Sequence, residues 1–167
     1  LYAVNEDLLL KKEGKDFTLH TQAARYTEAP TLAHDKPKER VLKAQGQSYL
    51  QALGLTDATG AVLKSAQDKF KQINKYIEIL DGLLAPMGAT KPLKIIDMGS
   101  GKGYLTFALY DHVVNTMKRP ATVVGVEFRA DMVKLCNGIA RDAGFEGLSF
   151  VEGAIANYDC ANADVVI

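Results

Sequence analysis

Asp97, Gly99, Gly101 and Gly103 fall together in the stretch Lys94-Ile95-Ile96-Asp97-Met98-Gly99-Ser100-Gly101-Lys102-Gly103-Tyr104, where an apolar run ends in an acid and breaks into alternating glycines. A buried strand, a tight turn and a helix start make the place where an open α/β sheet holds a nucleotide-like ligand. Three glycines remove three side chains from one side of the turn, so a ligand can approach the backbone. The helix beginning near Gly103 aims unpaired N–H groups at it. An anion or carboxylate suits those donors, and Asp97, an acceptor at the end of the strand, suits an ammonium group. A ligand carrying both, such as an amino acid moiety, matches the pair. Glu127 ends the next apolar run, and an acid there in a doubly wound sheet is placed to accept from two ribose hydroxyls. The order Gly99-x-Gly101-x-Gly103 is neither the Gly-x-Gly-x-x-Gly of a dinucleotide site nor the Gly-Lys-Ser/Thr ending of a P-loop.

The elements that position these residues follow from periodicity. Lys94 to Met98, Thr122 to Glu127 and Leu148 to Glu152 read as strands, with Asp164 to Ile167 as a fourth. Between them, Tyr104 to Met117 and Ala130 to Ala143 read as helices, the second closed by Gly144. Such alternation implies an α/β fold with a parallel sheet and right-handed crossovers. Upstream, Val62, Ala66, Phe70, Ile73, Ile77, Leu80 and Leu84 form one apolar helical stripe that Pro86 ends. Leu42, Gly46, Tyr49, Leu50 and Leu53 fall at the spacing of a further helix, with Pro37 in its first turn and Gly54 as its stop. Ala29 to Arg40 is a polar linker. Leu8-Leu9-Leu10 and Phe17-Thr18-Leu19 flank Gly14 as a β-hairpin with a three- to four-residue turn, an element marginal on its own and expected to pack on something. The expected division is an N-terminal extension over 1–58 and the sheet domain over 59–167. The sequence starts at Leu1 and ends on a strand that leaves a fresh sheet edge, as a piece of a longer protein does.

With 167 residues, 47% of them hydrophobic, the chain can bury one sizeable core. Its net charge is zero, divided as +1 over 1–45, +2 over 46–75 and −3 over 76–167, which demands neither a polyanion nor a membrane surface. Lys36, Lys38, Arg40 and Lys43 read as a solvated helix face, without the aromatic residues that stack single-stranded bases. Cys136 and Cys160 have no partner at metal-ligand spacing, so neither a zinc site nor a disulfide framework is expected and a reducing cytoplasm is the natural setting. His20, His34 and His112 share no spacing that suggests a ligand set or relay. No leader pattern or membrane-length apolar run is present.

Ile95 to Tyr104 resembles the first motif of class I S-adenosylmethionine-dependent methyltransferases, Val124-Gly125-Val126-Glu127 the second, and Phe150-Val151-Glu152-Gly153-Ala154-Ile155 the third. The resemblance covers about residues 60–167. Lys69-Phe70-Lys71-Gln72-Ile73, on the helix before the first strand, is similar to a subgroup suspected of acting on RNA. The resemblance implies a Rossmann-like doubly wound parallel sheet, cut after its fourth strand and preceded by helices and the hairpin. It implies S-adenosylmethionine as cofactor, while the sequence itself offers no metal-ligand set. Asp97 with Gly99, Ser100, Gly101, Gly103 and Tyr104 would hold the methionine part, Glu127 the ribose, and Phe128 would lie against the adenine opposite the backbone of Gly153, Ala154 and Ile155. Many members carry an acid where Ala154 stands, so Asn157, Asp159 or backbone carbonyls would take its place. Acceptor-side residues in this family commonly follow the fourth strand, so no catalytic residue is named here. RNA, a small molecule and a protein all stay open as acceptors. The rival readings are an NAD-dependent oxidoreductase, an aminopropyl transferase of similar fold, and a module that binds an adenosyl cofactor without turnover.

Overall fold

The structure, a computed structural model, describes residues 6–23, 41–88 and 91–167. The expected linker over 29–40, with Pro37, His34, Lys36, Lys38 and Arg40, lies outside the described residues. Two compact units divide the chain, 1–39 and 40–167. The first holds an antiparallel hairpin of β1 (Glu6–Glu13) and β2 (Asp16–Ala23). Glu13 pairs with Asp16, so the reversal takes only Gly14 and Lys15, shorter than the expected turn. Gly14 at φ +64° makes this possible, because a glycine of positive φ at the first turn position matches the twist of the flanking strands.

The second unit runs α1 (Ser48–Ala52), α2 (Gln67–Leu84), β3 (Leu93–Met98), α3 (Tyr104–Asp111), β4 (Ala121–Glu127), α4 (Ala130–Asp142), β5 (Leu148–Glu152) and β6 (Val165–Val166). Its four strands form one parallel sheet in the order β5-β4-β3-β6. From β3 the order runs one way through β4 and β5 and then returns to the other side with β6, which puts the strand-order reversal at the carboxyl end of β3, just before the glycine turn. The Rossmann-like α/β expectation holds. Ile95, Val123, Leu148 and Phe150 face the helical core, whereas Ile96, Val124, Ser149 and Val166 share the opposite face by register.

The stripe of α2 is buried as its spacing requires, through Phe70, Ile73, Ile77, Leu80 and Leu84. Val62 stands outside the helix, bridged to Thr56, and a 3₁₀ turn over Lys64–Ala66 leads into α2. The helix expected from Pro37 to Leu53 is reduced to Ser48–Ala52 among the described residues, because Gly46 adopts φ +78° and breaks the helical path. Leu42 is buried all the same, its backbone N–H donating to Asn74 Oδ1 at 3.0 Å. The expected domain boundary at 58/59 also moves earlier. Tyr49 of α1 stacks on Phe107 of α3 at 5.8 Å between centroids and meets Phe145 at 5.3 Å, so α1 belongs to the core of the sheet domain.

After Asp111, α3 widens into a π-helical turn over His112–Thr116. Polar groups at this junction are paired across elements. His112 is buried with Nε2 2.7 Å from Asp81 Oδ1 on α2. Tyr49 Oη donates to Asp111 Oδ2 at 3.2 Å, and burial, with Asp111 beside it, holds that phenol far above its ordinary range. Truncating Ile77 to Ala is expected to cost about 2–5 kcal/mol, whereas Ile79→Ala on the exposed face of the same helix changes stability by about 0.5 kcal/mol or less. Urea denaturation of the two variants checks the orientation of α2.

Candidate functional site

β3 delivers Asp97 half-buried to the carboxyl edge of the sheet, where Thr106 of α3 donates its hydroxyl to Oδ2 at 2.5 Å. Burial pushes this carboxyl up, and the Thr106 bond opposes the shift. Tyr76 of α2 is near enough that Asp97, after burial itself, raises its phenol; its enclosed Oη makes no hydrogen bond among the described residues. The following turn has Gly99, Gly101 and Gly103 at φ +81°, +58° and +70°, a region closed to most side chains.

The three glycines do different things. The amides of the turn itself are largely paired within the fold: Gly99 and Ser100 donate to Val126 O at 2.8 and 3.0 Å, Gly101 to Glu127 Oε2 at 2.8 Å, and Gly103 to Ser100 O at 2.8 Å. One expectation is corrected: Gly103 does not open space to the outside. A Cβ there would stand 2.9 Å from Phe150 Cζ and 3.0 Å from the Phe107 ring, so its bareness lets two core aromatics pass under the turn. Gly99 and Gly101 are the glycines that border the cleft.

Glu127, at the end of β4, is only 8% exposed and works as the tie between motifs. Oε2 accepts from Gly101; Oε1 accepts from Arg129 N at 3.0 Å and Nε at 2.8 Å. The Arg129 side chain above all, then its backbone amide, holds this carboxyl below the usual glutamate range. The loop after β5 joins the same place. Gly153 N donates to Glu127 O at 3.1 Å, and Ile155 Cδ1 lies 3.4 Å from where a Cβ on Gly99 would be. Phe128, directly after β4, and Ile155, in the loop after β5, are exposed at 76% and 64%. Ala154 is exposed and offers no side-chain acceptor, while Asp159 turns its carboxylate onto Ala161 N at 2.8 Å.

A cleft of about 260 Å³ opens beside the turn, lined by Asp97, Gly99, Ser100, Gly101, Lys102, Tyr104 and Leu105, with Lys69 and Gln72 from α2. Asp97, Gly99, Ser100, Gly101 and Tyr104 were expected from sequence. Lys69 and Gln72 were not, although their i, i+3 spacing on one edge of α2, continued by Tyr76, is the signal that could have found them. Gly125 was also missed as a structural position. A Cβ there would meet Phe150 at 2.5 Å and Ser100 Oγ at 2.9 Å, which is how a glycine inside a strand admits a close neighbour.

A family model described as a methyltransferase domain matches residues 68–167, from α2 through β6. The chain belongs to the methyltransferase-domain family. No curated protein matches it by sequence. Among solved structures, the methyltransferase domain is similar to the YcgJ protein of Bacillus subtilis, at 16% identity over 55% of this chain and 36% of that one, with a TM-score of 0.41. YjhP of E. coli matches at 22% identity over 55% of this chain and 35% of that one, with a TM-score of 0.40. An RNA methyltransferase from Salinibacter ruber, in complex with S-adenosyl-L-homocysteine, matches at 26% identity over 57% of this chain and 55% of that one, with a TM-score of 0.41. The chain thus spans little more than a third of the Bacillus and E. coli proteins.

Among the described residues of the methyltransferase domain, no group of three His, Cys, Asp or Glu is arranged to hold a metal, and no helix is long and apolar enough to cross a membrane. Cys136 and Cys160 are both free thiols, and burial pushes Cys136 up to about 11. Two expectations follow from the tie between motifs. Glu127 has a depressed folded pKa, so its contribution to stability is complete above its ordinary value of 4.5 and is lost as pH falls through the lower folded value. Thermal melts from pH 6 to 3 should therefore show a shallower acid loss for Glu127→Gln than for the wild type. Gly103→Ala is expected to cost about 1–3 kcal/mol more than Gly144→Ala, which has the same φ of +70° but open space around it, as measured by chemical denaturation.

Proposed function

We propose that this domain binds S-adenosylmethionine and transfers its methyl group to an acceptor. The observation that carries the reading is the meeting of Asp97 and Glu127, from two adjacent parallel strands, on one glycine turn at the strand-order reversal of the sheet. The residues fit the cofactor on independent grounds. Gly99 and Gly101 keep a cradle bare of side chains, Ser100 Oγ is enclosed without a hydrogen-bond partner among the described residues, and acids stand at both ends of the turn.

When bound, the cofactor supplies an electrophilic methyl carbon on a positively charged sulfur. The chain supplies position. Asp97 accepts from the ammonium group of the amino acid head, and the hydrogen bond it accepts from the Thr106 hydroxyl fixes the carboxylate in one orientation. Glu127 accepts from the ribose hydroxyls. A carboxylate has about four acceptor sites, of which Gly101 and Arg129 take three, so one is open and a second opens when the exposed Arg129 guanidinium turns into solvent. Phe128 and Ile155 present apolar surface to the two faces of the adenine. Alignment of this kind is the main contribution a protein makes to a direct displacement.

Calorimetric titration with S-adenosylhomocysteine tests the reading. Wild type is expected to bind, with Glu127→Ala and Asp97→Asn each weakening binding by about 1–3 kcal/mol. Asp97→Asn is further expected to raise the melting temperature of the unliganded protein, because burial penalises the charged carboxylate in the folded state. Absence of binding by the wild type, or affinities that neither variant changes, would sink the proposal.

A further inference from the structure

We infer that Lys69, with Gln72, grips the carboxylate of the cofactor's amino acid head, so that α2 supplies its cationic partner. This rests on the adenosyl-cofactor reading of the same cleft. A zwitterionic head needs an acceptor for its ammonium and a donor for its carboxylate. Asp97 is the acid that lines the cleft and meets the first need. The amides of Gly99, Ser100, Gly101 and Gly103 do not meet the second, since they are spent on Val126, Glu127 and Ser100.

Lys69 reaches the same cleft from the side. Its Nζ donates to Gln72 Oε1 at 2.8 Å and stands 5.8 Å over the ring of Tyr104, the first residue of α3. Two of its three N–H groups are left for a ligand by that geometry, and Gln72 Nε2 is a further donor on the other branch of its amide. An ammonium held over the first turn of a helix sits against the positive end of the helix dipole, an arrangement that an anion between them stabilises. Asp97 from β3 and Lys69 from α2, both lining the cleft, thus give it the two charges that complement an α-amino acid.

S-adenosylhomocysteine carries the amino acid head and 5′-methylthioadenosine lacks it, so titrating the 167-residue chain with both separates the head from the nucleoside. The expected result for Lys69→Met is about tenfold weaker S-adenosylhomocysteine binding, with methylthioadenosine affinity within about twofold of wild type, while Lys69→Arg keeps both. Lys71→Met, on the same helix but outside the cleft and paired with Asp68, should change neither. On the wild type, added salt should weaken S-adenosylhomocysteine more than methylthioadenosine. The inference is overturned if Lys69→Met leaves S-adenosylhomocysteine unchanged, if both ligands weaken equally, if Lys71→Met produces the same selective loss, or if the two ligands share one salt dependence. Failure of the wild type to bind either ligand would instead remove the adenosyl reading, and this inference with it.

Discussion

The bond from Gly101 N–H to Glu127 Oε2 is the constraint on which the rest of the site depends. A carboxylate enclosed at the end of a strand must be satisfied by donors or give up its charge. Glu127 is satisfied by the turn that follows the neighbouring strand and by Arg129 two residues on, which keeps it ionised. The same contact closes the turn from the side of β4, whose Val126 carbonyl takes the amides of Gly99 and Ser100. β4 therefore shapes the loop that β3 leads into. Because Gly153 also donates to the Glu127 carbonyl, the loop after β5 is registered on the same point.

Beneath the turn the packing is as exacting as the hydrogen bonding above it. Phe150 from β5 and Phe107 from α3 lie 5.3 Å apart by centroid and fill the room that Gly103 and Gly125 leave. A methyl group at either glycine would collide with them, so the floor of the site and the core of the sheet are one structure. Farther down α3, Asp111 and His112 bind Tyr49 of α1 and Asp81 of α2. Those polar pairs fix the two upstream helices against the helix whose first turn borders the cleft. The position of Lys69 and Gln72 is a consequence of that docking.

The resulting cleft carries both signs of charge, the acid Asp97 from β3 and the ammonium of Lys69 from α2, close to the carboxylate of Glu127 that closes the turn. That lining, in a chain of the methyltransferase-domain family, is what supports the proposed cofactor, which joins a zwitterionic head to a nucleoside.

The amino-acid pattern by itself determined the order of strands and helices from Gln67 onward, the place of the turn and the two acids flanking it. Each of these is written locally, in apolar periodicity, in glycine spacing and in an acid at a strand end. It did not disclose the short α1 or the earlier domain boundary, because Leu42 and Tyr49 keep helical spacing even though Gly46 turns the chain out of the helix between them. Nor could glycine spacing tell which glycine faces a ligand and which faces Phe150, or which amides are already taken. Those outcomes depend on carbonyls and rings brought in from β4, β5 and α3, and on an edge of α2 that meets the turn only when the helices pack. Tertiary structure thus decided which of the glycines border the cleft, and which of the turn's amides are already paired.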